Sequence, residues 1–353
     1  MMKKTLFSFV SASALSLGLA FAPISALAQS DVSRYSFEQL LQASKTGNIE
    51  AMSYLADAFY DGDITPQNYG LAAEWYRRAA EQGDAYSQTN LGYMYERGLG
   101  VPQDNSIAFT WYQAGASNGS MVGKNNLAYF YEKGLGTEPN LAEAVRLYRE
   151  TAAAGNASGQ FNLGYLYAVG TGVEINHAES ARLYRLAADQ GHAQAQSNLG
   201  YKYERGLGVE QSDAQAFHWY TLAAEQGNRQ GQNNLGYMYD SGRGTAESIA
   251  EAVRYYQLAA DQGHARAQSN LGLMYLDGRG VPQSDAEAVR LFQLSADGKD
   301  SDGQTNLGYM YETGRGVPQS DIQAVYFYQL GAEQGNETAL ANLKNLFNQG
   351  RGG

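Results

Sequence analysis

The chain of 353 residues contains no cysteine. Disulfides, thiolate metal sites and a thioether lipid anchor are therefore excluded, and a fold outside the cytoplasm must hold by packing alone. Basic residues are scarce: 25 Lys and Arg stand against 36 Asp and Glu, for a net charge of −11. No basic run reverses this locally, so phosphate backbones and anionic lipids are repelled and no nucleic-acid partner is expected. Beyond residue 28 no apolar segment approaches the ~20 residues needed to span a bilayer, so no stable membrane anchor is expected. Catalytic patterns are missing too. There is no His-Glu-x-x-His, no phosphate-cradling glycine loop followed by Lys, no Ser-x-x-Lys and no Gly-x-Ser-x-Gly. The four histidines are His177, His192, His218 and His264. His192 and His264 share one position just after a glycine and read as loop or first-turn residues. No catalytic, cofactor-binding or metal-ligating residue is assigned, and the expectation is that the protein is not an enzyme.

The first 28 residues read as a segment apart from the fold. Lys3 and Lys4 precede an uncharged apolar stretch from Leu6 to Ala22, and Ala26-Leu27-Ala28 is a small-x-small cleavage site before Gln29. This is the pattern of a Sec-type signal peptide, with Pro23 breaking what would otherwise be a retained helix. Cleavage after Ala28 takes the net charge from −11 to −13, through loss of Lys3 and Lys4. The expected location is the periplasm or the outside of the cell.

What the chain does have is a ruler. Leu-Gly recurs every 36 residues, at Leu91-Gly92, Leu163-Gly164, Leu199-Gly200, Leu235-Gly236, Leu271-Gly272 and Leu307-Gly308. Leu55-Ala56, Leu127-Ala128 and Leu343 keep the step. A period of 20–50 residues marks a repeat architecture, in which each unit packs mainly on its neighbours.

One period, His192 to Gly227, reads as a helical hairpin. Ala195, Leu199 and Tyr203 are four apart and share one face of a first helix. Gly206-Leu207-Gly208 ends it, since glycine tolerates the positive φ of a helix stop. Ser212 caps a second helix, and Gln215 three residues on completes a capping box. Ala216, Tyr220 and Ala223 form its apolar stripe. Each helix has about 13 residues and is ~20 Å long. The capping position holds Asn68, Asp104, Asn140, Asn176, Ser212, Ser248, Ser284 and Ser320, and six of these eight boxes carry Glu or Gln at the third residue. An aromatic fills the centre of every second helix, from Tyr76 to Tyr328, with Phe292 in the seventh. Gly-x-Gly pairs that follow helices are turns, not the strand-to-helix turns of nucleotide sites.

The expected architecture is all-α: an α-solenoid of about eight 36-residue antiparallel hairpins over 48–335. A leader and lone capping helix precede it in 29–47, and a lone capping helix with a disordered tail from Gln349 follows it in 336–353. Two departures predict local irregularity: Ile64 stands where later loops have a second glycine, and the closing glycine of the seventh repeat is displaced to Gly298, leaving Lys299 in its place.

The string Ala-x-x-x-Leu-Gly-x-x-Tyr-x-x-Gly-x-Gly-Val, followed by Trp-Tyr-x-x-Ala-Ala-x-x-Gly, resembles the Sel-1-like repeat. Ala195 to Val209 with Trp219 to Gly227 shows it, as do Leu91 to Val101 and Leu307 to Val317. That family is related to tetratricopeptide repeats. The resemblance implies a right-handed superhelix serving as an adaptor or scaffold for protein partners. Exported bacterial members are similar to factors in envelope signalling, exopolysaccharide regulation and host-cell interaction. A cysteine-rich branch once linked to β-lactam binding carries a disulfide per repeat, and this chain departs from it.

Beyond the fold, one further column stands out. Asn precedes the ruler Leu at Asn90, Asn126, Asn162, Asn198, Asn234, Asn270 and Asn306, and again at Asn342. Asn is a mediocre helix former, so its recurrence in mid-helix needs a reason. Three residues on stand Tyr93, Tyr129, Tyr165, Tyr201, Tyr237 and Tyr309, with Leu273 as the exception, and positions i and i+3 share a face. By the resemblance to tetratricopeptide repeats, this face lines the concave groove. Amides there suit the backbone of an extended protein or peptide segment, and tyrosine rings supply contact area. The same pair also suits a glycan, including peptidoglycan. Alternatively the amides are structural and bond adjacent helices. The leading expectation is an exported scaffold that binds a protein partner along the groove; the alternatives are a secreted host-interaction factor and a glycan-binding protein.

Overall fold

The computed structural model describes Val32 and residues 35–351. The signal segment, its cleavage site, and Gly352 and Gly353 lie outside the described residues. Eighteen helices are described, and no strand is found among these residues. A single helix, α1 (Phe37–Lys45), is followed by eight hairpins: α2 (Ile49–Asp61) with α3 (Tyr69–Ala80), α4 (Ala85–Arg97) with α5 (Asn105–Ser117), α6 (Met121–Lys133) with α7 (Leu141–Ala153), α8 (Ala157–Val169) with α9 (His177–Asp189), α10 (Ala193–Arg205) with α11 (Asp213–Glu225), α12 (Arg229–Ser241) with α13 (Ile249–Asp261), α14 (Ala265–Asp277) with α15 (Asp285–Asp297), and α16 (Ser301–Thr313) with α17 (Asp321–Glu333). A single helix, α18 (Glu337–Asn348), closes the order. We call the even-numbered helices A and the odd-numbered helices B. The fold is an all-α solenoid. It divides into two compact units, one ending at Ala187 and one starting at Ala188.

The ruler has a steric cause. Each ruler glycine lies against the aromatic ring of helix B in its own hairpin. A Cβ on Gly92 would stand 2.8 Å from Tyr112, on Gly200 2.7 Å from Tyr220, and on Gly272 2.6 Å from Phe292. Glycine in a helix interior costs about 1 kcal/mol relative to Ala. The ring it seats is removed from water: Tyr112, Tyr220 and Phe292 are fully buried. Burying an aromatic side chain contributes about 2–3 kcal/mol, so the exchange favours the hairpin. In α18 the seat position holds Lys344, and no helix follows it among the described residues.

Helix ends follow the expected signals, with one revision. Glycine caps every hairpin A helix in the left-handed region, from Gly62 (φ 74°) to Gly314 (φ 71°). Ser212, Ser248, Ser284 and Ser320 accept from the N–H three residues on. The reciprocal half of the predicted boxes is replaced. The cap's own N–H donates instead to helix A of the same hairpin, as in Ser212 N to Tyr203 O (2.9 Å) and Ser248 N to Tyr239 O (2.9 Å). Glu143, Glu179, Glu251 and Glu287 are thereby released and pair with Arg146, Arg182, Arg254 and Arg290 on the next turn. A full capping box forms only at α1 among the described helices, between Ser36 and Gln39, where no hairpin carbonyl competes.

Both predicted irregularities keep the standard backbone link. Lys299 adopts the left-handed φ of 61° that glycine supplies elsewhere, and Asp300 N still donates to Ser295 O (3.1 Å). At the first loop Gly62 remains left-handed and Asn68 N reaches Phe59 O (2.7 Å). In the tail, Gly350 has φ 71°, and Arg351 grips the Asp321 carboxylate with Nη2 at 2.6 Å and Nε at 3.0 Å. In sequence, Gly350-Arg351 repeats the Gly-Arg of 242–243, 278–279 and 314–315 at the same step.

Candidate functional site

The Asn and Tyr columns lie on helix A, one turn away from the seated face. The tyrosines are open to solvent to different degrees. Tyr201, Tyr237 and Tyr309 are 36–43% exposed, with Leu273 between the last two at 38%; Tyr93, Tyr129 and Tyr165 are half-buried. A cation from one turn on lies over three of the rings: Arg97 over Tyr93 (5.6 Å), Lys133 over Tyr129 (5.9 Å) and Arg205 over Tyr201 (5.7 Å). Arg and Lys stacked this way hold the rings in place while keeping their charge wet.

The asparagines are less uniform than their column. Asn162 donates to Asn125 Oδ1 (3.0 Å), Asn270 to Asn233 Oδ1 (3.1 Å) and Asn306 to Ser269 Oγ (3.1 Å). These three bond the preceding A helix. Asn198 and Asn234 accept from the glutamine one turn before, Gln194 (3.2 Å) and Gln230 (3.0 Å). Asn90 and Asn126 are buried, and both amide atoms of Asn126 lack a protein partner. The residue that would serve Asn126 is Thr89, whose hydroxyl is held by Ala85 O and Ser120 Oγ. The column therefore mixes bonds between repeats with amides aimed along their own helix.

Two polar systems escaped the sequence reading. Glutamines on helix A, such as Gln196 and Gln232, donate to the last carbonyls of the preceding B helix and accept from Gln226 and Gln262 of the next hairpin loop (2.7 and 2.6 Å). They satisfy carbonyls that a helix end leaves open. The second system is a carboxylate beneath several of the seated tyrosines. Tyr112 donates to Glu96 (2.6 Å), Tyr220 to Glu204 (2.8 Å) and Tyr328 to Glu312 (2.6 Å). A signal was available. Where the carboxylate column holds Leu276, the tyrosine column holds Phe292, so ring hydroxyl and carboxylate vanish together in that hairpin, although Ala168 stands opposite Tyr184 in another. In the first hairpin Asp57 does this work, accepting from Tyr76 and from Tyr86 (3.0 Å). Burial, opposed by those two bonds and aided by Asp61 and Asp84, pushes its carboxyl up to about 7.

Two of the four histidines are packing residues. His192 and His264 cap α10 and α14, their Nδ1 atoms accepting from Ala195 N (3.2 Å) and Ala267 N (3.1 Å). Burial pulls them down to about 4 and about 3, so both are neutral at pH 7. Nε2 of His264 then carries the proton and donates to Gln230 Oε1 (2.9 Å). No helix of the described residues is long and apolar enough to cross a membrane.

Comparison with known proteins fits this geometry. A crystal structure of a protective antigen present in uropathogenic Escherichia coli strains, displaying an SLR fold, is 35% identical with a TM-score of 0.70, over 89% of this chain and 68% of that one. A Sel1 repeat protein from Oxalobacter formigenes is 31% identical with a TM-score of 0.59, over 88% and 89% of the two chains. An ERAD-associated E3 ubiquitin-protein ligase component of Arabidopsis thaliana is 42% identical over 57 residues, 16% of this chain. The match spans 8% of that relative's length. The Sel1 repeat model matches eight times, at 49–84, 85–120, 123–156, 157–192, 193–228, 229–264, 265–300 and 301–336, and its frame opens on the helix whose glycine seats the ring. The chain belongs to the Sel1 repeat family, whose α-solenoids are scaffolds suited to protein–protein interaction.

Proposed function

We propose that the protein is an exported scaffold that binds an extended segment of a protein partner along the A-helix face. The observation that carries this is the row Tyr201, Tyr237, Leu273 and Tyr309, left 36–43% exposed on consecutive A helices. Folding does not require it, because the rings that build each hairpin are the fully buried ones on helix B. Large exposed rings at a regular step supply contact area at low entropic cost, and the asparagine amides beside them offer both donors and acceptors to a backbone. Export rests on the Lys3-Lys4 segment, the apolar stretch after it and Ala26-Leu27-Ala28.

A photo-crosslinking residue placed at Tyr237 or Tyr309 tests the reading in whole cells. We expect one discrete protein adduct from both positions, none from Arg254 on helix B, and loss of that adduct in Tyr201→Ala/Tyr237→Ala/Tyr309→Ala. Adducts formed equally from Arg254, or unchanged by the triple substitution, would sink the groove. Fractionation of the mature protein tests export separately. The 35% identity to a protective antigen favours a second reading, a surface or secreted factor that meets host proteins. Recovery of the intact protein outside the cell would decide for it.

A further inference from the structure

The row Tyr201, Tyr237, Leu273 and Tyr309 lies within the unit that starts at Ala188, with one side chain on each of four successive A helices. Those helices touch. Asn228, which caps α12, donates to Gln194 Oε1 on α10 (3.0 Å). Asn270 on α14 donates to Asn233 Oδ1 on α12 (3.1 Å), and Asn306 on α16 donates to Ser269 Oγ on α14 (3.1 Å). Helices in side-chain contact lie about 8–10 Å apart, and that distance is the step of the row. A segment laid along it must return a side chain to the same face at that step. A β-strand returns one about every 6.7 Å and falls out of step after the first ring. A polyproline II helix has three residues per turn and rises about 3.1 Å per residue, so every third side chain returns after about 9.3 Å. An α-helix comes near with i and i+7, at about 10.5 Å.

Hydrogen bonding separates the last two. Asn198 Oδ1 and Asn234 Oδ1 already accept from Gln194 (3.2 Å) and Gln230 (3.0 Å), so each asparagine has its Nδ2 left to give. Unlike the amide of Asn126, these donors are not sealed from solvent. They suit a backbone whose carbonyls are open, which polyproline II has and an α-helix lacks. Charge narrows the choice further. The Asn and Tyr columns of this unit carry no charge at pH 7, in a chain of net charge −11. An uncharged segment meets no repulsion there, whereas an acidic one is repelled by the surrounding surface.

Resting on the groove reading above, we propose that the partner segment is proline-rich and binds as a polyproline II helix. Every third residue sits against Tyr201, Tyr237, Leu273 and Tyr309, and carbonyls between them accept from Asn198 and Asn234. Proline holds φ near about −65°, so such a segment is extended before it binds and loses little freedom on docking. Its apolar rings pack on aromatic faces.

Fluorescence anisotropy of labelled decaproline on the full chain tests this, with a Gly-Ser peptide of equal length as the control. We expect decaproline to bind roughly tenfold tighter than the control, with no weakening by salt. Tyr237→Ala with Tyr309→Ala should cost roughly tenfold in affinity at an unchanged melting temperature. Tyr237→Phe should keep the affinity, because the ring face and not the hydroxyl makes the contact. Asn234→Leu should cost about fivefold. Equal binding of the two peptides, or decaproline binding that survives the double substitution, would overturn the proposal. Failure here is separable from failure of the groove. A protein adduct captured at Tyr237 whose crosslinked segment lacks proline by mass spectrometry leaves the groove standing and overturns its polyproline occupant, while a proline-rich segment supports both.

Discussion

The unit ending at Ala187 and the unit starting at Ala188 use one loop position in two ways. In the first unit the residue after the helix-A glycine is Asp63, Leu99, Leu135 or Thr171, never a cation, and Leu99 and Leu135 are half-buried against the hydrophobic core. In the second Leu207 keeps the leucine once, and the next four are Arg243, Arg279, Arg315 and Arg351. Three of these grip a carboxylate 30 residues back with two nitrogens each: Arg243 on Asp213, Arg315 on Asp285 and Arg351 on Asp321. Arg279 reaches Asp240 instead, because Ile249 stands where the others have Asp. The ring seats differ as well: the second unit has glycine at all four, Gly200, Gly236, Gly272 and Gly308, while the first mixes Ala56 and Ala128 with Gly92 and Gly164. The hairpin tolerates either chemistry because register is set by the seat and the caps. The loop residue only tightens one repeat onto the next.

The seat should be the most sensitive position. Gly236 lies 2.7 Å, counted from a would-be Cβ, from the ring of Tyr256. Gly236→Val forces a β-branched side chain against a buried ring and should destabilise the second unit by about 3 kcal/mol, read by urea denaturation. Gly236→Ala, which imitates Ala128, should cost less than half as much. A gain in stability from both, as helix propensity alone predicts, would show that the seat does not set the ruler.

The two units should also answer pH with opposite slopes. Asp57 is raised in the folded state from 3.8 to about 7. The folded chain therefore holds a proton that the unfolded chain releases, and stability near Asp57 falls as pH rises from about 4 to 7. His192 and His264 are lowered from 6.5 to about 4 and about 3. There the unfolded chain binds more protons, so stability falls as pH drops below 6.5. Each buried group carries on the order of 2–4 kcal/mol. Hydrogen exchange at pH 5 should thus protect α2 and α3 and loosen α10 and α14 relative to pH 7.5. Asp57→Asn should abolish the first slope and leave the second. A common slope in both units would refute the assignment.

Much of this was legible because the sequence repeats. A glycine stop, a capping Ser or Asn, and an aromatic at a constant step locate helices without reference to the fold, and eight copies average out local exceptions. Chemistry between repeats was harder to read. The capping boxes failed because Glu143 and its equivalents compete with a hairpin carbonyl that sequence spacing does not reveal. The Asn column mixes roles because the partner of each amide sits 37 residues away, and that position holds Asn125, Asn233, Ser269 or the already engaged Thr89. The contact of Arg351 with Asp321 was hard to foresee because it depends on a Gly-Arg pair at the end of the ruler meeting a residue 30 positions back.

The carboxylate under the tyrosine should give a smaller effect than the seat, with an internal precedent to check it. Tyr112→Phe leaves the buried Glu96 without its 2.6 Å donor and should cost about 1–2 kcal/mol. Adding Glu96→Leu reproduces the Leu276–Phe292 pair and should recover most of that loss. If the double variant is as unstable as the sum of the singles, the pair is not a coupled unit.

The loop comparison makes the smallest prediction and tests the charged and the apolar loop directly against each other. Arg315 and Asp285 remain 35% and 29% exposed, so their pairing is screened and contributes no more than about 1 kcal/mol. Arg315 holds the Asp285 carboxyl below its usual range, and the pair's stabilisation is present above the ordinary carboxylate pKa and lost as pH falls through the depressed one. Arg315→Leu should lower the melting temperature of the second unit by only a few degrees in dilute buffer and by nothing measurable in 1 M NaCl, where the Debye length is about 3 Å. Leu135→Ala in the first unit removes apolar contact instead. Its loss should be of similar or larger size and unchanged by salt, because hydrophobic burial is not screened by a simple electrolyte. A salt-independent loss at Arg315 would mean that the side chain acts through its aliphatic stem, and that the two loops are one packing device carrying different head groups.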